Sequence, residues 1–248
     1  RNHYEIEPPA RRNEILGKLR GELHDLSISR ASVKWGIPLP WDESQTCYVW
    51  FEALMNYVTA IGFADEPDTF AKYWPADIHL MAKEILWFHS VIWPAMLFSV
   101  GIKPPKKVFV HGWWLVDGQK ISKSLGNVID PLEISRKYSV DALRYYLLKE
   151  APFGEDGDFS EKALVSRINS DLANDLGNLL SRSLTMIDKY RASVVPPPEP
   201  QKDRELEADL KSLLKALPAE YSTAMDSIGF YDALQKVWAV VREMNAYV

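Results

Sequence analysis

Cysteine is nearly missing from this chain. A single one, Cys47, stands among 248 residues, which excludes an intrachain disulfide and any cysteine-based metal cluster and fits a reducing compartment, the cytosol or an organellar matrix. No apolar run approaches the length of a membrane span, and the first residues carry no signal-peptide pattern. A basic excess is also lacking. With a formal net charge of −5, the chain does not coat nucleic acid by bulk electrostatics, so any RNA contact has to be made at local sites. The chain does have 47% hydrophobic content, ample for the core of one large or two small domains.

Along the chain, Glu14 to Leu26 has the spacing of a short amphipathic helix, while Ser27 to Arg30 and Val33 to Leu39 read as extended, closed off by Pro38, Pro40 and Trp41. Cys47 to Trp50 reads as a buried strand. Phe51 to Ile61 comes next as a helix, with Leu54, Tyr57, Val58 and Ile61 at helical spacing. A second unit repeats the plan, with a strand at Asp77 to Met81 and a long apolar helix from Glu84 to Val100 interrupted by Pro94. A third strand spans Val108 to His111. Strands alternating with helices imply an α/β fold with a parallel sheet covered on both faces and ligands at the carboxyl ends of its strands. The chemistry is therefore expected just after Trp50, Met81 and His111.

Further on, Asp130-Pro131 opens a helix with proline at its first position, and Ser139 to Lys149 is another. The acidic, glycine-containing stretch Ala151 to Phe159 reads as a connection marking a boundary. From Ser160, an N-cap, the pattern is purely helical, with Leu164, Ile168, Leu172, Leu176, Leu179, Leu184 and Ile187 forming one apolar stripe. A stiff proline-rich linker, Val194 to Pro200, precedes two amphipathic helices at about Arg204 to Tyr221 and Tyr231 to Val248. The tail is a helical bundle.

The stretch around which this order makes sense is Lys120-Ile121-Ser122-Lys123-Ser124, between Gly118 and Gly126 and directly after the Val108 to His111 strand. Glycines on either side give it hinge freedom. Two ammonium groups on a loop that can close suit a triphosphate whose charge shifts onto departing pyrophosphate, because such catalysis is mostly positioning plus electrostatic stabilisation. A bare K-x-x-K is an ordinary solvated loop. Here all five residues, the strand before them and Leu125-Gly126-Asn127 after them match one pattern.

That pattern resembles the KMSKS signature of class I aminoacyl-tRNA synthetases, with Ile121 in place of methionine, a mild change at a packing position. In that family the loop sits over ATP, and the resemblance assigns Lys120 and Lys123 to the phosphates, with Ser122 and Ser124 beside them. Further blocks are similar to the methionyl-tRNA synthetase family in particular: Tyr48 to Tyr57, Lys83 to Ala95, Phe109 to Trp114, Asp141 to Tyr146, and Ile168 to Arg182, in the family's order. The resemblance implies the second half of a Rossmann-like nucleotide-binding domain (1–128), connecting stem-contact helices (129–159) and a truncated anticodon-binding helical bundle (160–248). It further implies a methionine pocket lined by Trp50, Tyr57, Ile85, Phe88, His89 and Trp93, with Leu54 at its edge; aromatic contact with a thioether is the physical basis of such a site. Lys83, Glu84, His111, Gly112 and Arg30 would border the adenylate, Arg30 as an ion pair closing the site. Asn174, Asn178 and Arg182, every fourth residue and so on one helix face, would meet the anticodon.

Taken singly, each aromatic reads equally as core, Lys83 and Arg30 as surface ion pairs, and the asparagine face as solvated exterior. The sequence also departs from the family. Ala82 stands for a usual glycine and Glu52 for a usual aspartate, and no HIGH-like tetrapeptide occurs, since none of His3, His24, His79, His89 or His111 has that setting. The expectation is a carboxyl-side fragment of a methionine-tRNA ligase acting with ATP, Mg²⁺, L-methionine and tRNA(Met) and with no membrane. The resemblance also implies that the zinc site often carried by the family lies outside the chain and that a separate amino-terminal half is a candidate partner. Alternatives are a non-catalytic tRNA- or methionine-binding fragment and a synthetase for another aliphatic amino acid.

Overall fold

The computed structural model describes residues 3–197 and 205–248; the side chains of residues 123, 205 and 206 also lie outside the described set. The chain forms two compact units, Arg1–His111 and Gly112–Val248.

The first unit runs β1 (Glu5–Glu7), α1 (Pro9–Lys18), β2 (Ser29–Arg30), β3 (Pro38–Leu39), β4 (Asp42–Cys47), α2 (Val49–Thr59), α3 (Pro67–Tyr73), β5 (Ile78–Ala82), α4 (Trp93–Ser99) and β6 (Lys107–His111). Its parallel sheet has the order β1-β6-β5. The register places Met81 beside Val110 and Ala82 beside His111, so the carboxyl ends of β5 and β6 are neighbours. Ile15 of α1 packs with Met81, Leu86, Val108 and Val110 on this sheet.

The strand expected at Cys47 to Trp50 stops at Cys47. β4 is the polar stretch before it, and it pairs antiparallel with β2 and β3 in a separate sheet. Val49 and Trp50 open α2 instead, because a short apolar run that continues at helical spacing fits either state. The third parallel strand is β1, a Glu-Ile-Glu segment whose Glu5 and Glu7 both pair with Lys107 of β6, at 3.4 and 3.1 Å. The first helix starts at Pro9 and ends at Lys18 rather than spanning Glu14 to Leu26, proline at N1 fixing its start. Cover on both faces of the sheet is incomplete at β5, where Ile78 and Leu80 are 45% and 55% exposed.

After β5 the chain takes a 3₁₀ turn, Lys83–Ile85, and a π-helical stretch, Phe88–Ile92, before α4. Pro94 follows the π-helical stretch, and it has no N–H for the carbonyl four residues back and would press on it. That carbonyl, of Ser90, instead receives the Tyr4 hydroxyl at 2.5 Å.

The second unit runs β7 (Trp114–Val116), β8 (Gln119–Lys120), α5 (Pro131–Tyr138), α6 (Val140–Glu150), β9 (Gly157–Phe159), α7 (Glu161–Arg167), α8 (Asn178–Arg191), α9 (Glu205–Asp226) and α10 (Phe230–Tyr247). Among the described residues, three helices begin with a side chain accepting from the first turn: Asp130 from Leu132 N–H (2.8 Å), Ser139 from Ala142 N–H (3.2 Å) and Ser160 from Ala163 N–H (3.0 Å). Leu143, Tyr146, Phe159 and Leu164 form the core beneath Trp114 and Val116. The acidic stretch expected as a boundary connection is structural: it supplies β9, parallel to β7. Between α7 and α8 the helix is π-wound over Ile168–Gly177. The i→i+5 bonding breaks the α period, and the expected apolar stripe is not uniformly buried: Leu164 and Leu179 are, while Leu176 and Leu184 are 45% and 56% exposed. No described helix is long and apolar enough to cross a membrane. The proline linker expected at Val194 to Pro200 falls partly outside the described residues.

Candidate functional site

In the first unit, α2 and the helical stretch after β5 bring an aromatic group together. Trp50, Tyr57 and Phe88 are partly exposed, and Leu54, His89 and Trp93 lie buried beneath at 1–2% exposure. Trp50 stacks on Phe88 (centroids 4.7 Å apart, 13° between planes) and meets the edge of His89 at 6.1 Å. Tyr57 lies 6.0 Å from Trp93, and its hydroxyl is 2.9 Å from His89 Nε2. His89 Nδ1 is 3.0 Å from the Ile85 carbonyl. A carbonyl only accepts, so Nδ1 carries the proton; in the neutral ring Nε2 then accepts from Tyr57 O–H. Burial holds the His89 pKa below the usual imidazole value, opposed by the bond to Ile85, so the neutral form is the one present at pH 7. Ile85 enters this group through its carbonyl; its side chain packs on the Met81 and Val110 cluster.

Below Tyr57 lies His79, whose pKa is pushed down to about 4, first by burial and then by His89. An unfolded chain takes up this proton first as pH falls below 6.5, so the contribution of neutral His79 to stability is complete above pH 6.5 and is lost as pH drops toward 4. The loss reaches about 3 kcal/mol. Urea unfolding at pH 7 and pH 4.5 is expected to show this decline, and His79→Phe, which cannot be protonated, to flatten it.

Lys83 and Glu84 come directly after β5 and His111 closes β6, so the three share one end of the sheet. Arg30 is engaged differently from the expected ion pair. Its guanidinium donates to the carbonyls of Ser27 (3.0 Å) and Ser29 (2.8 Å) and lies 3.5 Å from the centroid of the Tyr48 ring.

In the second unit the lysine segment is a hairpin. Asp117 (φ +51°) and Gly118 (φ +71°) form the two-residue turn between β7 and β8, the geometry for which Asp-Gly is preferred. Lys120 sits on β8 opposite Leu115, its ammonium 4.1 Å above the Trp113 ring. Asn127 clasps the 120–122 segment: its Oδ1 accepts from Ser122 N–H (2.8 Å) and its Nδ2 donates to the Lys120 carbonyl (3.2 Å). The Ser122 and Ser124 hydroxyls are 2.7 Å apart. Lys123 opens a 3₁₀ turn, and its side chain is outside the described residues. Asp156 accepts from Trp113 N–H (2.8 Å) and Asp158 from Gly118 N–H (3.2 Å), tying the hairpin to the β9 segment.

Gly112 is glycine because a Cβ there would lie 2.3 Å from the Glu155 carbonyl; the close approach it permits is to this chain's own backbone. Gly112→Ala is expected to displace the 155–158 segment and cost about 3 kcal/mol or more of stability, read as a lowered urea midpoint.

Asn174, Asn178 and Arg182 are all exposed. Arg182 donates to the Asn245 carbonyl (3.4 Å), and Asn245 Nδ2 donates to the Asp175 carbonyl (2.9 Å). Residues not singled out from sequence include Tyr48, His79, Asn127, Asp156 and Asp158. The Asp-Gly dipeptide at Asp117 is a legible hairpin signal; the contacts of the two aspartates are long-range and leave no local trace.

A parallel sheet whose last strand leads in sequence to a hairpin carrying the KISKS segment, followed by a helical domain, defines a class I aminoacyl-tRNA synthetase fold. Within that class the chain belongs to the methionyl-tRNA synthetase family: the family described as tRNA synthetases class I (M) matches residues 1–184. It is 51% identical over 244 residues to a methionine–tRNA ligase of Caldanaerobacter subterraneus subsp. tengcongensis, with 98% of this chain and 38% of that relative covered. It is also 51% identical over 242 residues to the methionine–tRNA ligase of Thermotoga maritima, with the same coverage. The Mycobacterium tuberculosis methionyl-tRNA synthetase solved with methionyl-adenylate superposes with a TM-score of 0.86 at 42% identity, over 99% of this chain and 48% of that one. The chain thus spans about 38% of the length of the curated relatives it matches.

Proposed function

We propose that this chain provides part of a methionine–tRNA ligase: ATP-dependent formation of methionyl-adenylate from L-methionine, then transfer to tRNA(Met). The observation that carries the reading is the aromatic cluster, where a hydrogen-bonded Tyr57–His89 pair sits among Trp50, Phe88 and Trp93, in a chain 42% identical to one solved with methionyl-adenylate. A thioether lacks charge and a strong hydrogen-bonding group, and polarisable rings offer it favourable contacts. Trp50, Tyr57, Phe88 and His89 would hold the side chain, with Leu54 and Trp93 as floor and the Ile85 carbonyl fixing His89. Lys83, Glu84 and His111, at the carboxyl ends of β5 and β6, would serve the adenylate, as would Arg30 and Gly112 from their own settings.

Lys120 and Lys123, with Ser122 and Ser124, would meet the phosphates as the carboxylate of methionine attacks the α-phosphorus and pyrophosphate leaves. Mg²⁺, where present, would add positive charge at the triphosphate. The functional regions are then 1–128 for activation, 129–159 for stem contact and 160–248 for the anticodon, with Asn174, Asn178 and Arg182 toward the bases.

The test is methionine-dependent ATP–pyrophosphate exchange. The 248-residue polypeptide, which has no HIGH-like tetrapeptide, is expected to give little exchange alone and to gain it when mixed with the amino-terminal segment of a relative. Robust exchange by the polypeptide alone would refute the need for that segment. Methionine is expected to protect the exchange-competent protein thermally better than leucine or isoleucine; equal protection would count against the aromatic cluster as its site.

A further inference from the structure

Tyr57 projects from α2, outside the sheet, and its ring is partly exposed, yet its hydroxyl has to meet one nitrogen of His89. The face of that ring rests on His79, 4.2 Å away between centroids and inclined by 30°. His79 is 5% exposed and belongs to β5, in register with Val108 of the central strand β6. Its other side is braced by Trp74 at 5.8 Å and 64°, and Trp74 is itself fixed, its indole N–H donating to the Lys103 carbonyl at 2.8 Å. A chain of contact therefore runs from the sheet through two buried rings to the Tyr57 phenol.

We infer that His79 is a positioning residue for the amino-acid subsite, its ring holding the Tyr57 phenol in the orientation that donates to His89 Nε2. The inference rests on the reading of the aromatic cluster as the methionine subsite. Hydrogen bonds to an imidazole nitrogen weaken steeply away from the ring plane, so a tyrosine free to swing would lose His89 and loosen the aromatic cluster. Stacking is what His79 contributes to Tyr57; its Nδ1 is buried with no hydrogen-bond partner among the described residues. Phenylalanine should therefore replace it and alanine should not. The titratable groups facing His79 are Tyr57 on α2 and His89 on the helical stretch after β5; Trp74 and Val108, from the other packed segments, carry none.

Nitrogen-15 NMR of the histidines in the 248-residue polypeptide reads the His89 tautomer and the hydrogen bond at Nε2. The native protein and His79→Phe are expected to show an Nδ1–H tautomer with a hydrogen-bonded Nε2, and His79→Ala to lose the bond at Nε2. Methionine titrations of the same proteins, followed by tryptophan fluorescence, are expected to give a dissociation constant raised about tenfold in His79→Ala and within about twofold of native in His79→Phe. A bond retained in His79→Ala, or lost in His79→Phe, overturns the inference. Should His79→Ala fail to fold, an Nε2–H tautomer in the native protein overturns it equally. A lost bond with unchanged methionine affinity leaves the positioning role standing and overturns the methionine reading instead.

Discussion

Lys120→Ala is expected to lower methionine-dependent pyrophosphate exchange by about 10²- to 10³-fold in the exchange-competent protein, with the fall in kcat and little change in methionine KM. The size follows from where charge moves. As pyrophosphate departs, negative charge grows on the leaving oxygens, and a cation held at that point stabilises the transition state more than the ground state. Lys120 is held: its carbonyl receives Asn127, its strand pairs with Leu115, and the turn behind it is bonded to Asp158.

A structural role for Lys120 predicts something else. The lysine is exposed, and its contact with the Trp113 ring at 4.1 Å is worth about 0.5–1 kcal/mol at such a site. The substitution should therefore move the thermal midpoint by only a few degrees while exchange collapses. Lys120→Arg should recover part of the loss, since it restores charge but spreads it over a planar fork that does not reproduce a compact ammonium. Unchanged exchange in Lys120→Ala would remove the hairpin from the phosphate chemistry.

How far such a site can be read from sequence depends on the range of its contacts. The β6 strand, the Asp130 and Ser160 caps and the glycines at 118 and 126 are set by neighbours a few residues away, and each is where the pattern puts it. Trp50 is a different case: the run Tyr48-Val49-Trp50 is too short to distinguish strand from helix, and the chain takes the helix because Leu54 and Val58 continue the same buried face. The π turns are the third kind. Pro94 announces a disturbance but not that Tyr4, 86 positions from Ser90, will satisfy the freed carbonyl. Nor does anything local announce the winding over Ile168–Gly177, which turns Leu176 and Leu184 outward. The segment after Ala151 reads as a connection because three residues of strand, paired across a gap of 40 residues or more with the hairpin, leave no periodicity to count.

Trp50→Ala is expected to act on the opposite kinetic constant, raising methionine KM about 100-fold with kcat changed far less. The indole stacks on Phe88 and lies edge-to-face with His89, so removing it takes away one wall of the proposed site and frees Phe88 to turn. A large aromatic contact of this kind accounts for about 2–3 kcal/mol, which sets the factor. Nothing about the wall changes as the acyl phosphate forms, because the thioether end of methionine does not react. Its loss is therefore uniform binding lost, visible in KM. Trp50→Phe keeps a ring against Phe88 and should recover most of the affinity. Because the two substitutions act on different substrates, the triphosphate and the methionine side chain, the double variant Lys120→Ala, Trp50→Ala should show kcat near that of the first and KM near that of the second. A methionine KM unmoved by Trp50→Ala would place the side-chain site elsewhere on the protein, whatever the hairpin does.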